Sequence, residues 1–266
     1  MLPALILAGG LGTRLAKTVP NLPKSLARIH NTPFLQLLLQ QLQETKIISK
    51  VVLALGHRAP DVIDYLHTSL FSFPIEISLE SAPLGTGGAI LNALDKIDSD
   101  YFLTMNGDSF FDLPFVEFLS FHRKMGAQLT IACTELDEAS RYGMIKMNAD
   151  SQIISFSEKS HIPLKGWVST GIYLMQKNLF STLPKTPCSL EKDLFPQILA
   201  SGTRDIAKRQ GANEDPKDAA KLMQPKTDSS GCLGIYGFPH AGTFIDIGTH
   251  LSYHEAQKTL KPWILT

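Results

Sequence analysis

Leu7-Ala8-Gly9-Gly10-Leu11-Gly12-Thr13-Arg14-Leu15, with Pro23-Lys24 close behind it, decides how the rest of this chain is read. The apolar run 4–7 breaks into three glycines within four positions, the pattern of a buried strand ending in an open backbone loop. Without Cβ atoms at Gly9, Gly10 and Gly12, backbone N–H groups can approach an anion closely, and Arg14 and Lys24 add positive charge beside them. The stretch therefore suggests a nucleotide. A Walker loop is excluded, because its Gly-Lys-Ser/Thr ending occurs nowhere in the chain. A dinucleotide fingerprint starting at Gly10 would need glycine where Leu15 stands, which also opposes an NAD-dependent oxidoreductase. A tight turn without any ligand is the plainer meaning of a glycine cluster alone, and the basic pair tilts the reading toward phosphate.

Outward from this loop, strand-like runs at 50–55, 75–79 and 101–105 alternate with helical patterns at 33–44, 59–70 and 88–97. Right-handed crossovers between parallel strands then give a doubly wound sheet with ligands at its carboxyl edge. The apolar helix 34–42 belongs in the core rather than against a second subunit. Beyond Asp112 the rhythm changes to strands at 128–134, 152–157 and 167–175, with helices at 115–124, 190–199 and 251–260. The expected architecture is a single domain over 1–266, a Rossmann-like three-layer α/β/α fold with a mixed, mainly parallel central sheet. Its nucleotide half is 1–112 and its second half 113–266. The polar segment 201–230, rich in Lys, Asp, Gly and Pro, reads as an exposed excursion.

Composition bounds the partners. The 266 residues are 44% hydrophobic and carry 25 basic and 25 acidic side chains, enough for one large core and too balanced for a broad grip on nucleic acid or anionic lipid. Cys133, Cys188 and Cys232 are scattered and form no C-x-x-C, so neither a disulfide framework nor a zinc site is indicated. With no basic leader and no apolar run of spanning length, a cytoplasmic protein is expected.

A second cluster is Asn106-Gly107-Asp108-Ser109-Phe110-Phe111-Asp112. A strand ending in Asn-Gly-Asp puts Asp108 at the sheet edge beside the glycine loop, where a carboxylate near phosphates needs a divalent cation between them. The ordinary alternative is a turn with a solvated carboxylate, and Asp112 reads as a cap for the next helix. Asp246, in Phe244-Ile245-Asp246-Ile247-Gly248-Thr249, has apolar flanks that make a solvated role awkward. It reads as a second cation ligand or as a cap of the closing helix. Magnesium is the implied cofactor. Between these clusters lie Leu84-Gly85-Thr86-Gly87-Gly88-Ala89, Arg141-Tyr142-Gly143, Ser157-Glu158-Lys159 and Ser169-Thr170-Gly171, each weak alone but ordered as the wall of a polar pocket.

That ordered set resembles the sugar-1-phosphate nucleotidyltransferase family from Leu5 to about Tyr253, the polar excursion excepted. Within it the chain looks most like the heptose 1-phosphate guanylyltransferases and next like the mannose-1-phosphate enzymes. The resemblance implies that Gly9, Gly10, Gly12, Thr13 and Arg14 wrap a triphosphate, with Arg14 and Lys24 at the reacting phosphates and Asp108 and Asp246 on magnesium. It implies that Leu7, Ala8, Gly85 and Thr86 face base and ribose and that Asn106 lies near the ribose. It further implies that Lys159 binds the sugar phosphate, Glu158 accepts from sugar hydroxyls, and Gly143, Thr170 and Gly171 line the sugar side. The implied reaction joins a nucleoside triphosphate, GTP foremost, to a sugar 1-phosphate and expels pyrophosphate. A uridylyl or thymidylyl enzyme is the near alternative, and a non-catalytic nucleotide-sugar sensor the alternative of another class. Glu80, just before the PLGT loop, is a candidate acceptor for the N1–H and N2–H₂ donors of guanine.

Overall fold

Leu2–Leu7 forms β1 as an almost continuous apolar run, as a strand covered on both faces should. The computed structural model describes residues 1–157, 165–183, 187–200 and 234–260. A small hairpin of β2 (Arg28–Ile29) and β3 (Thr32–Pro33) follows the glycine loop. Then come α1 (Phe34–Glu44), β4 (Ile48–Leu55), α2 (Ala59–His67), β5 (Ile75–Leu79), α3 (Gly85–Ala93) and β6 (Tyr101–Asn106). The second half adds β7 (Ser109–Phe111), α4 (Phe115–Lys124), β8 (Leu129–Leu136), β9 (Met144–Met147), β10 (Ile153–Ser157) and β11 (Gly166–Gln176). After 233 come β12 (Ile235–Pro239), β13 (Phe244–Asp246) and a closing helix, His250–Thr259.

The nine-stranded sheet runs β10-β9-β11-β6-β1-β4-β5, with β8 and β12 joined beyond β11. Its β6-β1-β4-β5 part is parallel, as the βαβ rhythm requires, and β11 enters antiparallel to β6. The alternation of β1 sorts the layers. Ala4 and Ile6 join a core with α1, α2, α4 and the closing helix, whereas Leu5 joins a second core with α3 and the segment 190–198. The sheet is thus sandwiched between two helical layers. The six buried apolar residues of α1 all face the first core, as expected of a core helix.

Several boundaries differ from expectation. α3 starts at Gly85, so Gly87-Gly88 form its first turns rather than a bend before it. Residues Leu190–Leu194 wind as a wide π-type turn before the helical stretch 195–200. Asp112 does not cap α4, whose N-cap is Pro114; the Asp112 N–H instead donates to Thr243 O at 2.9 Å. Asp246 caps nothing either, since Thr249 closes a capping box with Ser252 at the start of the closing helix. The polar excursion 201–230 lies outside the described residues. Among the described residues no helix is long and apolar enough to cross a membrane.

Candidate active site

The glycine loop leaves the sheet between its two parallel neighbours: Ala8 N–H donates to Ala54 O at 2.9 Å, and Gly107 N–H donates to Leu7 O at 2.8 Å. This fixes Leu7 and Ala8, both half-buried, at the carboxyl edge between β4 and β6. Gly12 adopts a left-handed φ of 62°, and its carbonyl accepts from Leu15 and Ala16, folding the chain into a turn. Buried Leu15 anchors that turn in the core while Thr13 and Arg14 stay exposed above it. Gly10 faces open space: a methyl built there would meet nothing within 4 Å. The loop therefore has a pinned base and a free, glycine-surfaced crest.

Lys24 stands beside it. Buried Ser25 and Leu26 hold the turn Lys24–Leu26, the Lys24 stem runs past Gly12, and its ammonium pairs with Asp108 Oδ2. Asp108 Oδ1 accepts a further 3.2 Å bond from Ser109.

The two aspartates are brought together by a ladder too short to leave a sequence pattern. β13 pairs antiparallel with β7, Asp246 opposite Ser109, and Ile247 N–H donates to Asp108 O at 2.9 Å. Gly248 marks where the charges converge. A methyl built on it would lie 2.6 Å from Asp246 Oδ2, 3.5 Å from Lys24 Nζ and 3.7 Å from Arg14 Nη2. Four of the predicted phosphate-chemistry groups, Arg14, Lys24, Asp108 and Asp246, thus share one site.

Asp246 on β13 and Asp108 in the turn before β7, with no third His, Cys, Asp or Glu completing a cluster among the described residues, make an incomplete all-oxygen donor set. That suits magnesium, which takes one or two carboxylates and fills its octahedron with substrate phosphates and water. Asp108 and Asp246 would hold it.

Glu80 directly follows β5, its N–H donating to Leu55 O at 2.8 Å. Its carboxylate sits against the Cα of Gly9, where no side chain would fit, and accepts the Leu84 N–H at 3.3 Å. Burial raises its pKa above the usual carboxylate value, with the Leu84 bond pulling the other way.

The remaining predicted residues divide. Asn106, ending β6, lies against Gly171 of β11, which joins the nucleotide half to the second half. Gly171 has φ 80° and falls where the β8–β11 register shifts between Ser169 and Tyr173, a bulge of the kind found beside active sites. That bulge turns the buried Thr170 hydroxyl onto Ala132 O at 2.9 Å, so its side chain points into the sheet. Gly143 accepts from Ser169 N–H at 3.0 Å and lies against the Phe156 ring. Thr86 is engaged by the segment after 187: its hydroxyl donates to Glu191 Oε2 at 3.1 Å and accepts from Leu190 N–H at 2.8 Å. Cys188 O presses against Gly85 and accepts from Gly87 N–H and Gly88 N–H at 3.0 and 3.2 Å, satisfying the first turn of α3. Glu158 and Lys159 lie outside the described residues.

Two residues of the Arg141-Tyr142-Gly143 motif, to which the sequence reading gave no individual role, touch the site. Tyr142 Oη donates to Asp246 Oδ1 at 3.2 Å, and Arg141 Nη2 approaches the same oxygen at 3.4 Å. The sequence signals were the motif itself and the apolar flanks of Asp246, and neither linked the two segments to each other.

Residues 3–262 match the family described as Nucleotidyl transferase. The D-glycero-alpha-D-manno-heptose 1-phosphate guanylyltransferase of Aneurinibacillus thermoaerophilus is 31% identical over 261 residues, 98% of this chain and 99% of that protein. A probable mannose-1-phosphate guanylyltransferase of Oryza sativa subsp. japonica is 34% identical over 203 residues, 74% of this chain. The chain spans little more than half the length of that relative, 56%. Among solved structures, HddC from Yersinia pseudotuberculosis superposes with a TM-score of 0.76 at 28% identity, covering 98% of this chain and 100% of that one. The same protein has been solved with GMP-PN bound, matching with a TM-score of 0.76 at 27% identity.

Proposed function

Since the chain belongs to the Nucleotidyl transferase family, we propose that it transfers a guanylyl group from GTP to D-glycero-α-D-manno-heptose 1-phosphate, releasing pyrophosphate. The observation that carries the chemistry is the convergence of Arg14, Lys24 and Asp246 on Gly248, with Asp108 paired to Lys24. A phosphate oxygen of the sugar 1-phosphate attacks the α-phosphorus in line, the bond to the β-phosphate oxygen breaks, and pyrophosphate leaves. The attacking oxygen is already ionised near neutral pH, so no general base is required, and the protein's task is alignment and charge neutralisation. Magnesium, when bound, supplies Lewis-acid charge at the phosphates. Lys24 and Arg14 neutralise the phosphoryl oxygens, and the Gly9–Gly12 loop, whose open crest at Gly10 is free of protein atoms, offers N–H donors to the triphosphate. Lys159 and Glu158 take the sugar phosphate and sugar hydroxyls in this reading.

Guanine is favoured by Glu80. A carboxylate beside Gly9 presents two acceptors to N1–H and N2–H₂, a pattern that uracil and thymine, each with one ring N–H, do not match. The heptose is supported by the relative whose whole length this chain matches, and mannose 1-phosphate is the second candidate because of the shared 203 residues. Retention of the four charged groups in one place argues against a sensor without chemistry. Free, buried Cys133 and Cys188 accord with a reducing, cytoplasmic compartment.

The test crosses GTP, UTP, dTTP, CTP and ATP against heptose, mannose and glucose 1-phosphates with magnesium and follows pyrophosphate. Release with GTP and the heptose is expected. Release with another pair keeps the mechanism and moves the specificity, and binding without release from any pair overturns the enzyme reading.

A further inference from the structure

Asp246 is short, and a terminal carboxylate torsion is broad unless something holds it. Here it is held on one side only. Tyr142 Oη donates to Oδ1 at 3.2 Å and Arg141 Nη2 reaches the same atom at 3.4 Å, while Oδ2 faces Gly248, Lys24 and Arg14. The holding groups are themselves fixed. The Tyr142 ring stands edge-on to Phe244 at 5.2 Å, two residues before Asp246 on the same strand, and the Arg141 guanidinium lies 5.7 Å over that ring. Arg141 Nη2 also comes within 3.5 Å of Thr249 Oγ1, the N-cap of the closing helix. Both tethers come from the loop between β8 and β9, so an element remote in sequence grips the back of this aspartate.

We propose that Tyr142, assisted by Arg141, is a positioning residue that clamps Asp246 Oδ1 and so aims Oδ2 at the divalent cation and phosphates. The inference rests on the proposed function, because it supposes that Asp246 is a cation ligand. The two tethers differ in kind. Tyr142 is a phenol, a donor that carries no charge of its own at neutral pH. It therefore orients the carboxylate without cancelling its charge. Arg141 is exposed and its contact is longer, so it contributes less geometry and more screening.

Outer-shell partners of metal ligands commonly alter metal affinity by about 10 to 100-fold. The test compares wild type, Tyr142→Phe and Asp246→Asn by electron paramagnetic resonance of free Mn²⁺, titrated in the presence of GTP and, in parallel, of UTP. Tyr142→Phe keeps the ring against Phe244 and removes only the hydroxyl, and equal melting temperatures confirm that the fold is intact. The expected result is Mn²⁺ affinity lowered by roughly tenfold or more in Tyr142→Phe and further in Asp246→Asn. In turnover, the magnesium concentration at half-maximal rate should rise by a similar factor while the rate at saturating magnesium stays within about threefold. Equal Mn²⁺ affinity in wild type and Tyr142→Phe overturns the clamp and leaves the functional reading standing. Equal affinity in wild type and Asp246→Asn removes the ligand itself, and the clamp with it.

Discussion

Gly248→Ala should separate catalysis from folding more cleanly than removing any charged group. Its φ is not in the left-handed region, so alanine meets no backbone strain there. The added methyl would lie 2.6 Å from Asp246 Oδ2, and ordinary contact begins near 3.4 Å, so the carboxylate must retreat by about 0.8 Å. It cannot swing freely, because Oδ1 is held by Tyr142 and Arg141. Nor can the chain yield easily, because Asp246 pairs with Ser109 and the Ile247 N–H is bonded to Asp108 O. A displacement of about 1 Å at a reacting centre costs on the order of 10²-fold in rate, or about 2.7 kcal/mol of barrier. Pyrophosphate release at saturating substrates and magnesium should accordingly fall by roughly 30 to 100-fold. The melting temperature, followed by circular dichroism, should hardly move, since alanine lowers the entropy of the unfolded chain by an amount comparable to the local crowding. A folded Gly248→Ala protein turning over within about threefold of wild type would refute the convergence of Asp246, Lys24 and Arg14 at this point.

Gly10→Ala tests the open crest: with nothing within 4 Å of the new methyl, stability should be unchanged while KM for the triphosphate rises about tenfold or more, and an unchanged KM would move the triphosphate off the loop. Lys24→Ala and Asp108→Ala should each lower turnover by roughly 10²-fold or more with the fold intact, and near-normal turnover in a folded Asp108 variant would sink the metal assignment. Glu80→Gln replaces one of two acceptors with a donor, so the preference for GTP over UTP should fall by roughly 10 to 100-fold in kcat/KM; retained preference would show that guanine is read elsewhere. His122 gives the pH dependence of stability. Burial lowers its pKa from 6.5 to about 4, so the folded state stays neutral where the unfolded chain takes up a proton. Its contribution is full above 6.5 and is lost as pH falls toward 4, roughly 2 kcal/mol by about pH 5. Urea midpoints should show this loss in wild type and not in His122→Gln.

The parallel half was legible because its strands are long apolar runs and its helices are strongly periodic. The run 75–79 is β5 to the residue, and α1 and α4 begin within one residue of expectation. What sequence missed is short. β2, β3, β7, β9 and β13 have two to four residues each, too few for a period of two to declare itself, and the five-residue β12 behind the polar segment was not read either. Their existence is a tertiary fact, written in the partner strand rather than in the segment. The same holds for α3, whose glycine-rich start has little propensity of its own and is satisfied by the Cys188 carbonyl from a distant segment. For the site, glycine spacing announced the loop because a bare backbone is visible in a sequence. The clamp on Asp246 was not legible because Arg141-Tyr142-Gly143 stood out as a motif while nothing in it names a partner more than one strand away.

The missed elements explain why the site works as a unit. Each aspartate has its own cation in the free protein, Lys24 for Asp108 and Arg141 for Asp246. Two carboxylates, Asp246 on β13 and Asp108 just before its partner strand β7, would otherwise repel. With both pairs formed, Arg14 remains as the site's unbalanced positive charge before any ligand arrives. In the proposed reaction Asp108 and Asp246 would hold the divalent cation, and Lys24, now paired with Asp108, would neutralise a phosphate oxygen. Little reorganisation of the backbone is needed, because the β7–β13 ladder and the Ile247 N–H bond to Asp108 O already hold both residues. The short ladder that left no mark in the sequence is thus the element that makes two motifs far apart in the chain into one electrostatic device.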